Sequence, residues 1–184
     1  MRYPPEETAE KHARILEQAS ILFRERGFSG VSVSEIMKAT GLTHGAFYNH
    51  FESKEDLIAK SIEDASAKAL NSMRDGATSG QSMAQFLDEY LSEGHRDERG
   101  NGCLMAALAS EIVREPAAQC AFTQHVEGMV EALTRSLTKA KKKNASRHAI
   151  HALSSIVGAI VLARAVDNPE LSEVILRETR AALD

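Results

Sequence analysis

Apolar side chains recur along this chain at intervals of three and four residues, the spacing of one face of an α-helix. Ile15, Leu16, Ala19, Leu22 and Phe23 mark a first helix from about Pro5 to Arg26. Arg24 and Arg26 stand in its last turn, where cations suit the helix dipole, and Gly27 has the place of a C′ residue. Ser32 with Glu35 has capping-box spacing and opens a short helix through Ile36, Met37 and Ala39, which Gly41 ends. Thr43 is placed to cap another short helix, Thr43 to Asn49, with Ala46 and Phe47 inward. Ser53 with Asp56 is a second capping box. It opens a long helix from Lys54 to about Met73 with Leu57, Ile58, Ile62, Ala65, Ala69 and Met73 as the buried stripe.

Five further helices are predicted beyond a loop at 75–81. They cover about 82–94 (Met83, Phe86, Leu87, Tyr90, Leu91), 103–115, 116–141, 146–166 and 169–183, with a polar, Gly-rich loop at 95–102. The prolines agree: Pro4, Pro5, Pro116 and Pro169 lie at chain starts or between periodic segments, where helices begin. The fold class predicted is all-α, with about nine helices.

Composition narrows this. With 43% hydrophobic residues and 26% charged, the chain buries an ordinary core, built mainly from aliphatic residues and Met because Trp is absent. Two cysteines, Cys103 and Cys120, are too few for a disulfide framework and read as cytoplasmic. Met1 to Glu10 is polar and unlike a signal peptide, and the most apolar run, Ile156 to Val166, is short of a membrane span. The net charge is −4, and residues 1–60 hold eight Lys/Arg against nine Asp/Glu. Any DNA binding must therefore come from placed groups rather than bulk positive charge. Helix, Gly-containing turn and helix, flanked by supporting helices, is the helix-turn-helix layout, although bundles without a DNA role also contain it.

The segment SVSEIMKATGLTHGAFYNHFESKEDL, Ser32 to Leu57, resembles the signature of the TetR family of transcriptional regulators. The matching landmarks are Ala39, Thr40, Gly41, Leu42 and Thr43, then Tyr48, Asn49, His50 and Phe51, then Ser53, Lys54, Glu55, Asp56 and Leu57; LFRERGFSGVSV just upstream also resembles the family. The resemblance implies a three-helix DNA-binding head, residues 1–52 with the helix-turn-helix at about 32–51. Thr43–Asn49 would be its recognition helix in the major groove of operator DNA. Residues 53–184 would form a helical effector-binding and dimerisation domain. Thr43 and His44 would face base edges, and Gly45 would let the backbone approach the DNA. Asn49 would address a base edge or a phosphate. Tyr48, His50, Lys54 and Ser32 would contact phosphates. Many members carry Lys or Arg where this chain has His44, which implies a weaker, pH-sensitive contact.

The stretch GNGCLMAALASEI, Gly100 to Ile112, resembles a Gly-Cys-Leu segment of one broad subgroup whose members include repressors released by small apolar or electrophilic compounds. Cys103 opens a helix, where the dipole favours a reactive thiol, with His95, Arg96 and Arg99 nearby; it reads as core packing or as a redox or electrophile sensor. Candidate ligand contacts are Met73, Phe86, Tyr90 and Met105, with Leu108, Phe122, His125 and Met129, each also a candidate core residue. The last two helices carry Ile150, Leu153, Ile156, Val157, Ile160, Val161, Val174 and Ile175, interleaved with small residues. That is more apolar surface than one small domain covers, which predicts a homodimer interface. His148 and His151 lack a third ligand for a metal, and Lys139, Lys141, Lys142 and Lys143 complement a helix end. No cofactor is called for. A ligand-released repressor is the reading. An interaction module of the same fold without operator binding, a helical-bundle enzyme, and an activator remain alternatives.

Overall fold

The computed structural model describes residues 5–183, and Pro4 lies outside them. Among the described residues there are nine α-helices and one 3-10 helix. Helix α1 (Pro5–Arg26) buries Ile15, Leu16, Ala19 and Phe23. It ends at Gly27, whose φ of +75° only glycine adopts without cost. A Cβ there would also lie 2.3 Å from a carboxylate oxygen of Glu111. That carboxylate accepts a hydrogen bond from the Phe28 N–H at 2.8 Å, so the end of α1 is fastened to a distant helix.

Helix α2 (Val33–Ala39) starts on the Ser32–Glu35 capping box that the sequence indicates. It stops at Gly41, with φ +72°. The following segment, His44–Asn49, is a 3-10 helix rather than the α-helix expected. Thr43 occupies its N-cap position but makes no side-chain capping bond. Six residues with an uncapped start do not sustain i→i−4 bonding, and the tighter winding turns Phe47 inward and Tyr48 outward.

Helix α3 (Lys54–Thr78) is capped by Ser53, whose Oγ accepts from the Asp56 N–H. The reciprocal bond differs from the expected box: Asp56 Oδ2 accepts from Glu52 N–H at 3.1 Å. At 25 residues α3 spans about 37 Å, and it runs past Met73 through most of the expected 75–81 loop. It packs along α7 and continues through Gly76, a residue that on its own favours a break.

The expected single helix at 82–94 is two. Helix α4 (Met83–Tyr90) begins on a Ser82–Gln85 capping box, and helix α5 (Glu93–Asp97) begins on Ser92. The predicted loop at 95–102 therefore starts inside a helix. Helices α6 (Leu104–Ile112), α7 (Pro116–Lys139), α8 (Ala145–Ala165) and α9 (Pro169–Ala181) follow.

Two apolar cores result. The first joins α1, α2, the 3-10 helix and the start of α3 to Leu104, Leu108 and Ile112 of α6 and to Ala118 and Ala121 of α7. The second is formed mainly by α4 and α7–α9. Leu153, Ile156, Ala159, Ile160 and Ala163 of α8 are buried within it. Of the stripe expected at a dimer interface, Ile150 and Val161 remain exposed, joined by Leu162 and by Leu171 of α9. By length and composition α8 passes as a membrane span, longer than the apolar run read from sequence; its buried face is the core of this bundle.

Candidate nucleic-acid interface and internal cavity

The helix-turn-helix face is built around Phe47, which is 1% exposed and stacks on Phe51 at 5.6 Å between ring centroids. That anchor fixes the residues on either side of it. Tyr48 is 65% exposed, its ring edge-on to Phe47 at 5.2 Å and to His44 at 5.9 Å. Thr43, His44, Gly45 and Asn49 are all exposed. A buried aromatic thus holds a short row of polar and aromatic groups out to solvent, as a groove-reading element requires.

Two of the predicted DNA contacts, Ser32 and Lys54, are committed within the protein. Ser32 directs its backbone N–H and its hydroxyl to Glu35 Oε2, at 2.9 and 2.8 Å. A phosphate reaching Ser32 must displace that carboxylate. Lys54 Nζ donates to the Phe28 carbonyl at 2.5 Å and so ties the start of α3 to the turn after α1. An ammonium has three donors, so this bond leaves capacity for a phosphate. His50 is half-buried, and burial first, then His12 and Lys11, lowers its pKa. At neutral pH it is an uncharged N–H donor rather than a cation.

A cavity of about 670 Å³ opens between α1 and the helices that follow, within the size range of small-molecule sites. Of the candidate ligand contacts, Met73, Phe86, Tyr90, Cys103, Met105, His125 and Met129 line it. Leu108 does not: it is packed in the first core, and Phe122 packs against both cores. The sequence reading missed the wall contributed by α1, namely Glu17, Ser20, Ile21 and Arg24. The available signal was the i, i+4 series Leu16, Ser20, Arg24 on the buried side of that helix.

The charges near Cys103 also differ from expectation. His95 is bonded through Nδ1 to the Tyr90 carbonyl at 2.6 Å, and its pKa is lowered chiefly by burial. Arg96 is paired with Asp97. The cations within electrostatic reach of Cys103 are Arg24 and Arg164. The thiol itself accepts from the Ala106 N–H at 3.4 Å, which makes Cys103 the N-cap of α6.

His125 is 2% exposed, with Nδ1 3.0 Å from Ser66 Oγ, and burial pushes its pKa down to about 4. In the unfolded chain an imidazole titrates near 6.5. As pH falls through the window from about 6.5 to 4 the unfolded chain takes up the proton first, so stability present above that window is lost within it. Between pH 7 and pH 5 the native protein is expected to lose about 2 kcal/mol more than His125→Gln, read by urea unfolding at each pH. Parallel losses in the two proteins would show that His125 is not the source.

Residues 15–60 match the family described as bacterial regulatory proteins of the tetR family. Residues 79–175, more than half of the chain, match the C-terminal domain of LmrA/YxaF-like transcriptional regulators. The chain is 29% identical over 106 residues to YerO, an uncharacterized HTH-type transcriptional regulator of Bacillus subtilis, covering 56% of this chain and 37% of that protein. It is 28% identical over 102 residues to the HTH-type transcriptional repressor DhaR of Mycobacterium sp. strain GP1, covering 53% and 50%. It therefore spans half or less of the length of these curated relatives. A crystal structure of the reduced form of E. coli NemR has the same fold, with a TM-score of 0.82 at 21% identity and 95% of each chain covered.

Proposed function

The chain belongs to the TetR family of helix-turn-helix transcriptional regulators, and on that premise we propose that it is a homodimeric repressor released from operator DNA by a small molecule. The observation that carries this reading is the exposed row Thr43, His44, Tyr48 and Asn49, held by buried Phe47 on a helix-turn-helix. In this reading residues 1–52 are the DNA-binding head and residues 53–184 the effector and dimerisation body, acting in the cytoplasm, where the DNA is. Exposed Ile150, Val161 and Leu162 on α8, with Leu171 on α9, would meet their counterparts across a two-fold axis. Two heads about 34–36 Å apart then enter successive major grooves of a palindromic site.

The cavity supports the effector half of the proposal. Its methionines accommodate a small apolar molecule, and the Cys103 thiol in its wall is placed to meet an electrophilic one. Because α1 forms one wall, the effector touches the head directly and does not act only by tilting α3 at Ser53. Occupancy changes the seat of α1 on the body, and a coupling of a few kcal/mol suffices to empty the operator.

Footprinting on the DNA flanking its own gene is expected to show a protected palindrome. Tyr48→Phe, which removes one phosphate donor, is expected to weaken operator and unrelated DNA alike by about three- to tenfold. A protein that protects no stretch of that DNA, with the head folded, would refute the repressor reading.

A further inference from the structure

Four buried polar atoms in the cavity wall lack an oxygen or nitrogen hydrogen-bond partner among the described residues: Ser20 Oγ, Arg24 Nε, Asp64 Oδ2 and Tyr90 Oη. Desolvated and unpaired, such atoms are rare in folded proteins because each forfeits its bonds to water. Three of these can donate, and the fourth, Asp64 Oδ2, is an acceptor that faces the Lys68 ammonium at 2.8 Å. A guanidinium is a donor only, and the serine hydroxyl can donate. Burial, then the charge of Cys103 and a hydrogen bond to its side chain, drives the Tyr90 pKa well up, so its phenol keeps its proton, and the weakly accepting sulfur is a partner that an oxyanion displaces.

Arg24 is the strongest of the three. Its guanidinium is largely buried, and burial lowers its pKa. The bond it makes is from Nη1 to the Gly102 carbonyl at 3.3 Å, and none of the ion pairs of the described residues includes it. A buried cation without a counter-ion is unfavourable until an anion joins it. The carboxylates around the cavity are otherwise occupied or face solvent. Asp64 is ion-paired with Lys68 at 2.8 Å, Glu89 accepts from Gln81, Glu98 accepts from Asn101, and Glu17 is exposed.

These donors share one region. Ser20 and Arg24 are one turn apart on the same face of α1, and Arg24 and Tyr90 both lie within electrostatic reach of Cys103. Elsewhere the lining is apolar, from Met73, Phe86, Met105 and Met129.

We infer that the cavity takes an amphipathic organic anion, its acidic group held by Arg24, Ser20 and Tyr90 and its apolar body lodged among the methionines. This rests on the effector reading above and names the ligand class for it. The acid-binding end lies on α1, so the anion supplies the counter-charge to a residue of the DNA-binding head. Drawing Arg24 toward that anion competes with its bond to Gly102, the link between α1 and the loop before α6.

The test uses two dyes that share a body and differ by an acid: 8-anilino-1-naphthalenesulfonate and N-phenyl-1-naphthylamine. The chain has no Trp, so dye fluorescence is read without interference. Arg24→Gln is expected to weaken the sulfonate at least about tenfold while changing the neutral dye less than about twofold, with Arg24→Lys restoring part of the difference. Should Arg24→Gln not fold, Ser20→Ala combined with Tyr90→Phe is expected to show the same selective loss. Equal losses for both dyes, or none for the sulfonate, overturn the anion site. Adding the sulfonate to the operator complex separates the two readings. Arg24-dependent binding that leaves the operator occupied sinks the effector reading and keeps the anion site, whereas release that is unaffected by Arg24→Gln sinks the anion site alone.

Discussion

Phe47→Ala is expected to lower the melting temperature by about 10 °C and to abolish DNA binding. The side chain is 1% exposed and lies between Phe51 and the backbone that carries Tyr48. Truncating a buried phenylalanine costs about 3–5 kcal/mol through lost burial and the cavity left behind. In a chain of this size 1 kcal/mol corresponds to about 2–4 °C. The damage is local in origin, because a 3-10 helix of six residues has little stability of its own and depends on this one anchor. Tyr48, Asn49 and His44 would lose their fixed orientation together, so binding should fall further than stability. Circular dichroism melts and fluorescence anisotropy with duplex DNA read the two effects separately. Phe47→Leu, which keeps most of the volume, is expected to recover most of both. A variant that melts like the native protein would show that Phe47 does not organise the head.

Local chemistry made much of this arrangement legible in the sequence. Ser32–Glu35 and Ser82–Gln85 are capping boxes in the structure, and Gly27 and Gly41 take the positive φ that helix ends demand. Non-local packing hid the rest. Gly76, Ser79 and Gly80 read as a loop, yet α3, which packs along α7, runs on to Thr78. The partners that occupy Lys54 and Glu111 are both at Phe28, distant in sequence from each, and no short-range pattern reports such bonds. The cavity divides in the same way. Its methionines and Tyr90 stood out as apolar residues on inward faces, while Arg24 passed as a helix-end cation. A basic residue in a last turn satisfies the dipole argument whether it faces solvent or a cavity, and only the packing of α1 against the body decides which.

The same distinction between core and surface faces of one helix sets the second large effect. Ile150→Glu combined with Val161→Glu is expected to convert the proposed dimer to a monomer and to weaken operator binding about a hundredfold or more. Helix α8 buries one face in its own bundle through Leu153, Ile156 and Ile160. On the flank of that face Ile150, Gly158 and Val161 lie together at helical spacing, with Ile150 53% and Val161 41% exposed and Val157 at the edge, packed on the core. A Cβ at Gly158 would meet no atom, so this stripe is open and allows a second backbone to come close. Carboxylates placed on a two-fold interface face their own copies, and burying them there is strongly unfavourable. Each isolated subunit keeps its core, because neither side chain contributes much to it, so helix content should persist. Joining two heads makes the second half-site contact intramolecular, an advantage of about 10²–10⁴ in affinity that a monomer forfeits. Light scattering after size exclusion, run beside operator anisotropy, measures both quantities on one preparation. A variant that still elutes with the mass of two subunits, or a monomer that binds the operator as tightly as the native protein, would show that this face of α8 does not join the heads.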